Sequence, residues 1–318
     1  MSTAKLVRLQ LILAFLATYF IWGSTYLFIK FAVETIPPFL MAAVRFIIAG
    51  SILYAIAIVT SKERPLTAHW KSAAIAGFLM LGLGNGLVTW AEQTVPSGLT
   101  ALIIAIVPLW MVLLEWGRYG RKPSGQSVAG VILGIVGIGL LVDPSEILPE
   151  AGVGLLGFAV LNIAALAWAI GSLYSRTAVL PKSGILNAAL QMLTGGVCLL
   201  LTGILLGETA VDPALFSGQS IFALAYLIVF GSLIALTAYM WLIKNTSPEK
   251  ATTYAFVNPA IAVFLGWAFA GEALGTKTLL ALSLVVVAVV LVLRARVSQP
   301  QPAPQRQASA EVAKAGGE

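Results

Sequence analysis

Apolar residues run along this chain in ten stretches, each close to the roughly 20 residues that an α-helix needs to cross a bilayer. They cover residues 9–31, 38–60, 71–91, 96–116, 124–142, 153–175, 184–207, 219–243, 250–270 and 276–295, with short connections that leave no room for a soluble domain. The pattern predicts an all-α membrane protein of ten transmembrane helices. Two segments lie outside it: a short N-terminus, 1–8, and a tail, 298–318, whose Pro, Gln, Ala and Gly cannot bury a core and which reads as disordered.

Composition agrees with a lipid environment. Of 318 residues 59% are apolar and 10% charged, against about a quarter charged in soluble domains. The first window follows Lys5 and Arg8 like the start of a secretory signal, but its length and its polar Trp22–Thr25 segment argue for a retained span. A single cysteine, Cys198, excludes an internal disulfide and reads as a small packing residue.

The net charge of +6 is explained by its distribution. In a ten-span arrangement Lys62, Arg64, Lys71, Arg118, Arg121, Lys122, Arg176, Lys182, Lys244, Lys250, Arg294 and Arg296 join the N-terminal bases on one side. The other side carries Glu34, Glu92, Asp143, Glu146, Glu150, Glu208, Asp212 and Glu272, with only Lys277 and the helix-end Lys30 as bases. Basic loops favour the cytoplasm, so both termini are expected there.

The chain also resembles itself. Trp22 and Arg45 are 23 residues apart, as are Trp168 and Gln191, and Gly50 and Gly196 keep the same offset. QTVPSGLTALIIAIVP (93–108) echoes NTSPEKATTYAFVNP (245–259). Two five-span repeats, 9–142 and 153–295, account for this. Because five is odd, the second must enter the membrane in the opposite sense. Inverted repeats are a recurrent plan of secondary transporters, with the substrate near the midplane between halves that rock in alternating access.

WGSTYLFIKFAVETIPP (Trp22 to Pro38), AVRF (Ala43 to Phe46), GNG (Gly84 to Gly86), AEQTVPSG (Ala91 to Gly98) and SPEKATTYAFVNPAIAVFLG (Ser247 to Gly266) resemble the drug/metabolite transporter superfamily. The similarity is to its EamA-type ten-helix branch of bacterial metabolite exporters and covers about 9–295. It implies a bacterial inner-membrane protein that exports amino acids, their derivatives or related metabolites from a pocket between two five-helix halves. The short four-helix multidrug relatives carry a proton-exchanging glutamate in their first helix. Here that stretch holds Trp22, Ser24, Thr25 and Tyr26, so that role does not carry over.

The residues themselves suggest where a substrate would sit. Pro108 and Pro259 are about ten residues, or about 15 Å, from their helix ends and mark matched helix breaks whose freed carbonyls can face a cavity; a pair of packing kinks is the alternative. Beside the second proline is Asn258, an amide at mid-depth that needs a partner on a neighbouring helix or in a ligand. Arg45 must face protein or water, to bind a substrate carboxylate, to pair within the protein, or to snorkel outward. Trp22 and Trp168 stand mid-membrane, where flat rings suit a partly apolar metabolite or a cation, or pack helices. Asn85 is a polar group among glycines, and Tyr254 is one turn before Asn258. Glu92 and Glu115, at opposite helix ends, external and cytoplasmic, read as hydrated end charges, with a gate or a proton site as the alternative. Gly130, Gly134, Gly137 and Gly139, with Gly203 and Gly207, read as close helix packing.

An enzyme would need convergent nucleophiles or metal ligands. The sole histidine, His69, is in a loop, and GxSxG, HExxH and phosphate-loop patterns are absent. No catalytic residue, cofactor or metal is expected. Nor do the rings of charge or filter carbonyls of a channel recur. The expected partners are a small-molecule substrate and the lipid bilayer, with no nucleic acid, the proton as candidate coupling ion, and a monomer or weak homodimer. A broad-specificity multidrug or facilitated-diffusion carrier remains the alternative, with a non-transporting membrane subunit or intramembrane enzyme more remote.

Overall fold

The computed structural model describes residues 3–60, 63–95, 97–120, 122–141, 155–261 and 276–295. Among these, six helices are long and apolar enough to cross a membrane: α1, Leu6–Val33; α2, Pro38–Thr60; α3, Thr67–Ala91; α7, Leu156–Thr177; α8, Gly184–Leu205; and α9, Gly218–Asn245. The fourth expected window is two shorter helices, α4 (Ser97–Ile104) and α5 (Val107–Tyr119). The fifth and tenth are α6 (Gly125–Leu141) and α12 (Thr276–Arg294). The ninth begins with the short α10 (Pro248–Ala251) and α11 (254–261). Its remainder, 262–270, lies outside the described residues, as do the tail, the acidic 143–150 loop and Glu272.

Helix pairing follows the internal repeat. The α2–α8 pair is packed along its length, as is α6–α12; α3 lies on α7, and α1 lies on α9. Exchanging the two halves leaves the first two pairs in place and turns the third into the fourth. Glycines allow the approach: a β-carbon at Gly50 would lie 3.0 Å from Leu193 atoms, and one at Gly196 2.8 Å from Ile47 Cγ1. Gly130 and Gly137 similarly meet α12, and Gly134 meets the Phe256 ring. Gly207 corrects the expectation for its group, since it has φ +75° and a β-carbon there would meet nothing within 4 Å among the described residues, so it ends α8 as a left-handed cap. A β-carbon at Gly139 would likewise meet nothing among the described residues.

Carboxylates from opposite loops cap the central pair. Glu208, after α8, accepts from Leu40 N–H at the start of α2 (2.7 Å), while Glu63, after α2, accepts from Lys182 and Ser183 N–H at the start of α8 (3.0 and 2.8 Å). Each satisfies amides that have no partner inside their own helix.

Long spans are not uniformly α-helical. Phe78–Asn85 in α3 and Leu227–Leu236 in α9 are π-helical, as is Ala17–Ile21 in α1. A π turn bonds i to i+5, widening the helix and re-aiming its side chains. The first two are in corresponding helices of the two halves.

Candidate functional site

Between the halves is a cavity walled by α1, α2, α3 and the α4–α5 break on one side and by α7, α9 and α11 on the other. Trp22, Arg45, Asn85, Trp168, Tyr254 and Asn258, the six residues singled out from the sequence, all line it.

Aromatic rings form one wall. Trp22 stands edge-on to Tyr254 (centroids 4.7 Å) and to Trp168 (5.6 Å), and Tyr239 closes the group at 5.2 Å from Trp22 and 5.5 Å from Trp168. Such tilted contacts are the favoured arrangement for aromatic quadrupoles. Trp22 Nε1 donates to the Gly231 carbonyl in the π segment of α9 (3.2 Å). The Trp168 ring lies against Gly84 in the π segment of α3, where a β-carbon would come within 3.1 Å of it. Trp168 Nε1 donates to Tyr239 Oη (3.2 Å), which also shares a 2.7 Å hydrogen bond with Ser172.

Arg45 does not snorkel. Only 2% exposed, it reaches into the second half, where Nε donates to Ser232 Oγ (2.8 Å). Its guanidinium carbon is 4.8 Å from the Phe46 ring centre, and Nη1 has no hydrogen-bond partner among the described residues. A buried cation with a free donor beside a cavity can take an anion there, as a carboxylate or phosphate would meet its planar fork. In the other half Gln191 is turned inward to its own helix, donating to Asn187 Oδ1 at 2.9 Å.

Glu92 and Glu115 correct the expectation of hydrated end charges. Glu92 is 0% exposed and neither carboxylate oxygen has a hydrogen-bond partner among the described residues. Lys30 donates to the Glu92 and Gln93 carbonyls instead (2.9 and 3.3 Å), capping the end of α3. Glu115 is buried beside Arg176, Lys244 and the 245–248 turn. Both are covered because neighbouring helix ends close over them, which helix-end position alone does not reveal.

Asn258, 1% exposed, is held by two main-chain carbonyls. Oriented to satisfy them, its amide donates to the Tyr254 carbonyl (3.0 Å) and to the Tyr19 carbonyl of α1 (3.2 Å). Tyr19 is itself tied to the second half, its hydroxyl 2.6 Å from Thr253 Oγ1. The prolines prove unequal. Pro108 follows directly on the break at residues 105–106, at the first turn of α5, where proline is tolerated. Pro259 is inside α11, and the interruption in its segment falls at Thr252–Thr253, over a turn earlier.

Tyr239, Tyr26, Ser232 and Gly231 were not singled out from the sequence. Tyr239 had a signal, a hydroxyl deep in an apolar window. The repeat could not locate it, because α9 has 28 residues where α3 has 25 and the register between them is lost.

The EamA-like transporter family pattern matches this chain twice, over residues 9–143 and 155–294. The protein of Escherichia coli (strain K12) described as the uncharacterized inner membrane transporter YedA is 40% identical over 270 residues, 85% of this chain and 86% of its own length. The uncharacterized transporter YoaV of Bacillus subtilis (strain 168) is 24% identical over 85% of this chain and 92% of its own. A protein crystal structure superposes with a TM-score of 0.70 at 21% identity, covering 89% of this chain and 96% of the other, a likeness of fold.

Proposed function

This chain belongs to the EamA-like transporter family and is a membrane transporter, and from that premise we propose that it exports small amphipathic metabolites, such as amino acids or their derivatives, by alternating access. The reading places ten spans in the bacterial inner membrane as two inverted five-helix halves, with both termini cytoplasmic. Substrate occupies the cavity between the halves. The observation that carries this is the convergence of Arg45, from α2, and the rings of Trp22, Trp168 and Tyr254 on one space, with Tyr239 packed against those rings. Such a space offers a carboxylate a fixed cation and offers an apolar or cationic remainder flat aromatic faces. Asn85 and Asn258 add side-chain amides to its lining. The aromatic wall is also chemically tolerant, which favours breadth among substrates of similar shape.

Reconstitution into liposomes with a panel of amino acids and amphipathic acids tests the reading. Flux of at least one member is expected, and Trp168→Ala and Asn258→Ala should reduce it at least tenfold without lowering folded protein. Full transport by both variants, or no flux of any panel member by folded wild type, rejects it.

A further inference from the structure

Two consecutive residues of α9, Gly231 and Ser232, sit inside its π segment, Leu227–Leu236, and both are engaged by the first half of the chain. The Gly231 carbonyl accepts from Trp22 Nε1 of α1 (3.2 Å), and Ser232 Oγ, 0% exposed, accepts from Arg45 Nε of α2 (2.8 Å). Gly231 also decides how close the guanidinium can lie. A β-carbon there would stand 2.7 Å from Arg45 Nη2 and 3.2 Å from Thr25 Cγ2. The first distance is well inside the roughly 3.5 Å of ordinary non-bonded contact, so a side chain at 231 must push the end of Arg45 aside.

A guanidinium is a rigid planar fork, so an acceptor that fixes its Nε–H also fixes where the other N–H groups point. Here Ser232 holds Nε, the bare Gly231 leaves room for Nη2, and Nη1 has no hydrogen-bond partner among the described residues, at a cavity that Arg45 lines. A buried donor left unpaired is unfavourable until a ligand supplies the acceptor. Gln191, the counterpart of Arg45 in the repeat, donates to Asn187 of its own helix, so the charge comes from one half only. We propose that Gly231 and Ser232 are positioning residues that set the preference of the cavity for anionic over neutral ligands. They hold Arg45 so that Nη1 is offered to a carboxylate whose apolar part lies on the rings of Trp22, Trp168 and Tyr254. The inference rests on the reading that the cavity accepts an anion at Arg45, and it adds that the opposite half aims the charge.

A matched pair of probes tests this: N-acetyl-phenylalanine, an aromatic carboxylate, and its neutral amide, each titrated by calorimetry into full-length protein in nanodiscs. Wild type should bind the acid about tenfold more tightly than the amide, the size of effect expected of a charge-assisted hydrogen bond. Arg45→Gln should abolish that preference. Ser232→Ala should weaken the acid by about tenfold and leave the amide unchanged. Gly231→Ala should do the same, and Ser232→Ala, which only removes an atom, decides the matter if the added methyl prevents folding. Parallel loss of both probes would mean a merely structural role and overturn the proposal. A full acid preference in the folded α9 variants, or one that survives Arg45→Gln, would also overturn it. A wild type without any preference for the acid rejects the anion reading of Arg45 itself, and this inference with it. Because binding is measured rather than flux, absence of transport in liposomes would reject export and leave the binding result standing.

Discussion

Tyr239 shows how much a single hydroxyl holds in this interior. It is fully buried, accepts from Trp168 Nε1 and shares a hydrogen bond with Ser172 Oγ, so one atom sets the angle of a cavity wall. Tyr239→Phe keeps the ring packing but leaves two buried polar groups without that partner, at a cost of about 1–3 kcal/mol. Thermal unfolding of the purified variant should show that loss, and transport should fall more than stability does, because Trp168 is freed to turn. A variant that unfolds and transports like wild type would mean that packing alone fixes the ring.

At the scale of elements, the α2–α8 pair is held by close glycine contacts along its length and by a carboxylate cap at each end. The caps titrate in opposite senses. Partial burial raises the Glu63 carboxyl, but amides of Ser183 and Lys182 and the charges of His69 and Lys182 outweigh it and hold the group below its usual range. Its contribution is therefore present above the ordinary glutamate value of about 4.3 and is lost as pH falls through the lowered folded value. Glu208 is the reverse: burial raises it despite bonds from Leu40 and Phe39 N–H, so its share is lost as pH rises through the raised value. Melting temperatures followed from about pH 6 down to pH 3 should fall less steeply for Glu63→Gln than for wild type. Parallel curves would show that the Glu63 cap carries no pH dependence.

At the scale of the molecule, the halves meet through side chains as well as helix faces. Trp22 with Gly231, Arg45 with Ser232, and Tyr19 with Thr253 each join the first half to the second. The alternating access we propose requires some of these bonds to break. With Cys198→Ser as background, Tyr19→Cys combined with Thr253→Cys should accept a short thiol cross-linker. Flux should then stop and return when the linker is cleaved. Undiminished flux in a fully cross-linked sample would place the moving boundary elsewhere.

Much of this organisation was legible in the sequence. The windows of α1, α2, α3, α7, α8 and α9 follow from apolar length, since a backbone in lipid must satisfy itself and a helix does so locally. The candidates Trp22, Arg45, Asn85, Trp168, Tyr254 and Asn258 stood out because polar or bulky groups at mid-depth need a reason to be there, and one cavity collects them all. Other features depend on what another helix places opposite a residue. The π segments, the displacement of the second break from Pro259 to Thr252–Thr253, and the partners of Asn258 are of that kind. Glu92 is the clearest instance. Position along the chain marked it as a hydrated helix end, and only its neighbours in the fold make it a carboxylate that is 0% exposed. The sequence by itself determined which residues enter the membrane, because transfer from water is additive along the chain; the tertiary structure decided which charges are left without water, because burial is a property of neighbours.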